Sequence, residues 1–296
     1  ERRLGDELER RANALVEAAD ETFELVVEEG GGVAVAWSGH VLARLAAGRS
    51  LLEPALRTAR ALDRLSAQSR AALRSRLERW LDAQVDAHLR PLEKLAAAAT
   101  DPASSPGVRA LAAMLADSGG VLPRKAVLGA ISHLEQRDRH ALHRLRVRLG
   151  PLDVFLPALL KPAAQHWRAA LLAVRSGAPM PLLPAAGAAT LGPDSDPRGA
   201  ALAYRRLGRQ WIRIDLADRL ASHARQVRSA GGDNPVDVEL ATSVGLDEEA
   251  IGRLMAEVGF TRAGEAWKWR GRRPPREDRS AAPSHAFAEL AKLKKK

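Results

Sequence analysis

Apolar residues recur at helical spacing over residues 1–20, where Leu4, Leu8, Ala12, Leu15 and Ala19 share one face. The pattern then switches to β-formers. FELVVEEGGGVAVAWSGHVLARL sets Gly30, Gly31 and Gly32 between two apolar stretches, which predicts a hairpin. A third strand is expected near Val41 to Leu45, after a turn at Ser38-Gly39. A sheet this small must pack on helices. From Pro54 to Gly150 the pattern reads as helical. Leu73, Leu77, Trp80, Leu81, Val85 and His88 are spaced by threes and fours, with Arg and Asp on the opposite face. Pro91 is expected to end or kink that helix. TDPASSPG at 100–107 reads as a loop. A short helix over Val108, Leu111, Met114 and Leu115 stops at Gly119-Gly120. The next begins at Pro123 and runs through Val127, Ile131, Leu134, Leu142 and Leu145.

Pro151, Pro157 and Pro162 interrupt the apolar stretch 149–177, where Phe155, Leu156, Leu159 and Leu160 must be buried. Residues 178–202 are dense in Pro and Gly and predict an extended linker or wrapping arm. A second compact unit is expected at 203–271. Within it, VELATSVGLDEEAIGRLMAEVGF has helix-turn-helix rhythm. Ala241 is small where two helices cross, Gly245 permits the positive φ of the turn, and Ile251 plugs the core. Asp247 is the expected N-cap of the second helix. TRAGEAWKWRG then reads as a hairpin, completing a winged-helix layout. The tail 272–296 is basic and Pro-containing, and is expected to be disordered. The predicted fold is therefore mainly α: a helical bundle over 1–177 with a small β-hairpin or three-stranded element at 21–46, joined to a C-terminal winged-helix-like unit.

Charge changes the picture. The 296 residues carry a formal net charge of +10, and the excess lies beyond residue 100. A polyanionic partner is the natural inference. In RDRHALHRLRVRLG, at 137–150, Arg137, Arg144 and Arg148 fall on one helical face, with Arg139 and Arg146 on an adjacent one. A guanidinium stripe suits phosphate tracking; a solvated basic helix reads equally well. Lys161 sits between a proline break and the next helix, where it meets either a phosphate or solvent. On the wing, Lys268, Arg270, Arg272 and Arg273 form a more credible nucleic-acid surface than the second helix. That helix sets Asp247, Glu248, Glu249 and Glu257 against Arg253 alone.

Other chemistry finds no support. With no cysteines, disulfides, thiolate metal sites and a Cys nucleophile are excluded. No Gly-Lys dipeptide occurs, so the chain has no phosphate-cradling Walker A loop. His133, His140 and His143 cluster in sequence but lack carboxylates at ligand spacing and are crowded by arginines, so they read as surface histidines. Aromatics are scarce. Trp37, Trp267 and Trp269 are the candidates for base stacking, with core packing the stronger reading of each. No apolar run approaches a membrane span, and the mixed-charge start is not a signal peptide. The chain begins without Met inside a helical pattern, as expected of part of a longer protein, and a cytoplasmic location is expected.

The run RLRVRLGPLDVFLPALLKPAAQHWRAAL resembles the region that follows the motor in bacterial superfamily 2 DEAD/DEAH-type helicases related to the mitochondrial RNA-degradosome helicase. The family pattern RLGVRxGxxxxFxPALLKP is matched by Arg144, Leu145, Val147, Arg148, Gly150, Phe155, Pro157, Ala158, Leu159, Leu160, Lys161 and Pro162. Arg146 stands where the family usually has Gly. FELVVEEGGGVAVAWSGHVLARLAAGRSLLEP, RLGRQWIRIDLADRLASHAR, ATSVGLDEEAIGRLMAEVGF and AWKWRGRR are similar to other parts of that region, so the likeness covers about residues 1–272.

The resemblance implies an ATP-dependent helicase whose two RecA-like domains, with ATP and Mg, lie upstream, translocating 3′ to 5′. This chain itself needs no cofactor. Its expected function is to guide a single strand, RNA rather than DNA, by phosphate contacts. The candidates, chosen by charge and helical position, are Arg137, Arg144, Arg148, Lys161, Arg168, Lys268 and Arg270. Expected partners are the motor domains in cis and a ribonuclease. Two alternatives stand beside it: a winged-helix regulator of duplex DNA, and a protein-interaction scaffold.

Overall fold

A computed structural model gives the fold and describes residues 2–264 and 266–271. The tail 272–296, with Arg272 and Arg273, lies outside the described residues. Helix α1 (Arg2–Val16) buries Ala12 and Leu15. It leads into an antiparallel meander of β1 (Phe23–Val27), β2 (Val33–Trp37), β3 (His40–Ser50) and β4 (Glu53–Thr58). The fourth strand replaces the helix expected from Pro54. Pro54 is tolerated because β4 is an edge strand. A register shift between Ala46 and Ser50 bends β3. Gly48 stands in that bend, and a Cβ there would collide with the Glu53 carbonyl.

Helix α2 (Ala67–Thr100) starts at an N-cap, with Ser69 N donating to Ser66 Oγ at 3.2 Å, and runs unbroken through Pro91. The helix does not end at the proline. Leu89, Leu92 and Leu95, all buried around the proline, offset the lost backbone hydrogen bond by packing. Helix α3 (Pro106–Asp117) packs along α2. Strand β5 (Val121–Pro123) follows the Gly119-Gly120 turn. The single helix expected beyond Pro123 is instead a 3-10 turn and α4 (Leu128–Ser132), then α5 (Gln136–Arg144). Strands β6 (Arg148–Leu149) and β7 (Asp153–Phe155) complete a three-stranded sheet ordered β5-β7-β6. Helix α6 (Pro162–Ser176) returns across α2 and the first sheet. Trp80 of α2 ties these layers together, with ring centroids 6.1 Å from Phe23 and 6.0 Å from Trp167.

Residues 178–202 form a strap pinned at several points. Met180 N donates to Gly31 O (2.9 Å), Leu182 N donates to Asp196 Oδ2 (3.0 Å), and β8 (Thr190–Leu191) pairs with a later strand. Helix α7 (Pro197–Ala200) closes the strap. Then come β9 (Tyr204–Leu207), β10 (Gln210–Arg213), α8 (Ile214–Ser229), α9 (Val238–Ser243), α10 (Glu248–Val258), β11 (Phe260–Ala263) and β12 (Ala266–Trp269). A second core of Leu207, Ile212, Leu220, Leu254, Val258 and Phe260 sits here, and Leu152 from the β6–β7 turn plugs into it.

The expectation of a mainly α bundle is corrected: the fold is mixed α and β, with four small sheets. The missed strands have two to six residues each, too short to show a period of two. Some also pair with strands well separated in sequence, as where β8 meets β10 and β5 meets β7. No helix among the described residues is long and apolar enough to cross a membrane.

Candidate nucleic-acid interface

Helix α5 carries the first half of the basic segment. It is held by a capping box in which Glu135 N donates to Asp138 Oδ2 at 3.1 Å. The Ser105 hydroxyl and that backbone N–H hold the Asp138 carboxyl below its ordinary pKa. Arg137 and Arg144, seven residues apart, line one open groove of 640 Å³ together with Asp101, Ser104 and Ser105. Arg137 is exposed and paired with exposed Glu135 at 2.9 Å, a contact water largely screens. Arg144 is exposed, and no ion pair involves it among the described residues.

The predicted helical stripe stops there, because α5 ends at Arg144. Val147 N donates to Leu142 O (2.9 Å) and Arg146 N to His143 O (2.9 Å), the two bonds of a Schellman ending. Arg146 takes the left-handed position of that motif, with φ 62°. Arg148 therefore leaves the face of Arg137 and Arg144. Its guanidinium is spent on Asp218 of α8, with Nε at 2.9 Å and Nη2 at 2.8 Å from Oδ2.

Lys161 is exposed at the start of α6. Arg168, about two helical turns further on, presents nothing to a ligand. It is 1% exposed and donates from Nη1 to Leu159 O and Leu202 O, both at 3.1 Å, while Nε has no partner. Burial lowers its pKa to about 10. Its candidacy as a phosphate contact is corrected: α6 turns this residue into the core, among Ala164, Trp167 and Leu171. Lys268 and Arg270 are exposed on the β11–β12 hairpin, whose other face sets Trp267 and Trp269 against the second core. Trp269 meets Phe260 edge-on at 5.1 Å and lies 3.7 Å under the Arg228 guanidinium. Trp37 packs on the first core. All three candidate stacking residues are thus engaged in packing. His133, His140 and His143 are exposed, and His140 contacts Gln136 at 3.0 Å.

The helix-turn-helix is closed over by β9 and β10. Gln210 Nε2 donates to Gly245 O (3.2 Å), and Asp247 N donates to Gln210 Oε1 (3.0 Å). Arg205 of β9 bridges Glu257 of α10 and Asp153 of β7, the latter at 2.6 Å. Glu249 pairs with Arg253 and Glu248 with Arg262. Of these α10 carboxylates only Glu257 meets a largely buried arginine; the pairs of Glu248 and Glu249 are exposed and screened by water.

Arg205 with Asp153, and Arg148 with Asp218, form an ionic seam of which the sequence reading singled out Arg148 alone. Burial raises the carboxyls of Asp153 and Asp218 above the usual range despite their arginine partners. The available signal was Asp153 itself, a carboxylate inside the apolar run Leu152 to Leu156, which demands a buried cation.

No family model matches the chain, and neither a curated protein nor a solved structure matches it.

Proposed function

We propose that this chain is the strand-guiding accessory region of an ATP-dependent helicase, holding a single strand, RNA rather than DNA, by phosphate contacts. The observation that carries the reading is the groove lined by Arg137 and Arg144, where Arg144 is exposed with no ion pair among the described residues and Arg137 meets only the exposed Glu135, although Asp101 and Asp138 also line the groove. Exposed Arg146 lies next to it in the chain. The positive φ of Arg146 supports the resemblance independently, because a position where those helicases carry Gly is one that needs a left-handed backbone. The motor domains in cis, a ribonuclease partner, and the ATP and Mg that a motor would use belong to the same proposal. No residue here is assigned to that cofactor. Against the duplex-DNA alternative stands α10, whose acidic face is paired to β9, Arg253 and Arg262.

The test is binding of the whole chain to unstructured RNA and DNA strands at several salt concentrations. Arg137→Ala with Arg144→Ala is expected to weaken all single strands alike, by roughly tenfold at physiological ionic strength. The slope of log affinity against log salt should fall by about 1.4, at roughly 0.7 per lost phosphate contact. An unchanged slope, or preference for one duplex sequence, would overturn the reading.

A further inference from the structure

Between the start of α6, the strap and the β9–β10 hairpin lies a cavity of 250 Å³. Leu160, Pro162, Leu183 and Pro184 supply apolar walls. Gln165, His166, Tyr204 and Arg213 supply the polar ones. The volume falls just under the ~300–1,000 Å³ of drug-sized sites, so it suits a single ring.

Most of the polar lining is already engaged. Asp215 holds Arg213 through two bonds, at 2.6 and 3.0 Å. The Tyr204 hydroxyl donates to Ala188 O at 2.8 Å, and buried Gln165 donates from Nε2 to Leu160 O at 2.6 Å. His166 differs, for none of the described hydrogen bonds involves its ring. Burial, with His88 nearby, holds its pKa below the ordinary histidine value. It is therefore neutral at pH 7 and offers one donor and one acceptor.

An anion would meet an arginine already neutralised. A cation would find the one nearby carboxylate, Asp215, already paired. A flat, uncharged ring with donors and acceptors along its edge matches what is left. Lys161, exposed and flanked in the chain by the lining residues Leu160 and Pro162, adds a cation beside the pocket for an attached phosphate.

We propose that this pocket takes one unpaired nucleobase of a bound strand, with His166 reading its hydrogen-bonding edge. The inference rests on the single-strand reading above. It adds a base contact to a mode otherwise made of phosphate contacts.

The experiment compares the whole chain's affinity for a uridine oligonucleotide and for an abasic strand of equal length. The base-bearing strand is expected to bind about tenfold more tightly. Ala186→Trp, placed at an exposed lining position of the strap, and His166→Ala should each bring the two affinities close to parity while abasic binding and melting temperature hold. Equal affinities in the unaltered chain, or a preference that survives both substitutions, would overturn the proposal. Failure to bind either strand would instead sink the single-strand reading. The pocket is then judged by titrating uridine and adenosine against the His166 ring resonances: shifts with either uphold it, and none with both overturns it.

Discussion

In the groove beside α5, Arg137 and Arg144 stand in solvent, one tied to an exposed glutamate and the other unpaired among the described residues. At the seam between the two cores, Arg148, Arg205 and Arg168 are each spent on groups from other elements: Asp218, then Asp153 with Glu257, then two backbone carbonyls. In the sequence these arginines look alike. What separates them is whether the fold brings a carboxylate or an orphan carbonyl within reach. Charge on the seam side ties the two units to one another; charge on the groove side meets no buried group among the described residues.

The sharpest way to break the seam side is Arg205→Ala. It would leave Asp153, 6% exposed, without its cation. Stranding a buried charge costs about 3–5 kcal/mol, read as a lower urea midpoint. The pH dependence has a definite sign. Burial raises the folded carboxyl pKa of Asp153, so the folded state holds this proton more tightly than the unfolded one. Its ionisation therefore works against folding as pH rises from the ordinary carboxylate range through the raised value. Without Arg205 that loss should steepen, and the variant's deficit should shrink on acidification. A deficit independent of pH would mean that Arg205 acts by packing alone.

Arg168→Ala comes next. It removes a buried stem and strands the carbonyls of Leu159 and Leu202, at a cost of about 2 kcal/mol after allowing for relief of the buried charge. The salt dependence of strand binding should not move, in contrast with the α5 pair. A smaller slope with unchanged melting would place Arg168 on the groove side after all.

The same contrast explains how much was legible. The long apolar face of α2 and the helix-turn-helix with Gly245 and Asp247 rest on local pattern, and the elements form at those residues. Strands β5 to β10 do not: each has only two to four residues, and β5 and β8 pair with strands about 20 to 30 residues away, so no period of their own marks them. The basic stripe failed for a local reason of a different kind. The 3.6 period does not continue through Arg146, where the backbone turns left-handed and sends Arg148 to another element. For Arg168 the error was one of face: its neighbours Trp167 and Leu171 already marked an apolar surface.

That turn offers the finest cut between the two sides. Arg146 occupies the position of a Schellman ending that favours Gly, and a side chain there costs about 1 kcal/mol. Arg146→Gly should relieve the strain and raise stability by up to about 1 kcal/mol, less the added freedom of glycine in the unfolded chain. The backbone bonds to Leu142 and His143 are kept, so Arg137 and Arg144 stay where they are. If the exposed Arg146 side chain also meets a phosphate, the more stable variant will be the weaker binder, with a salt slope smaller by about 0.7. Strain held in place by function predicts that opposition between melting and binding. A variant that is both more stable and equally tight in binding would confine the groove's charge to Arg137 and Arg144.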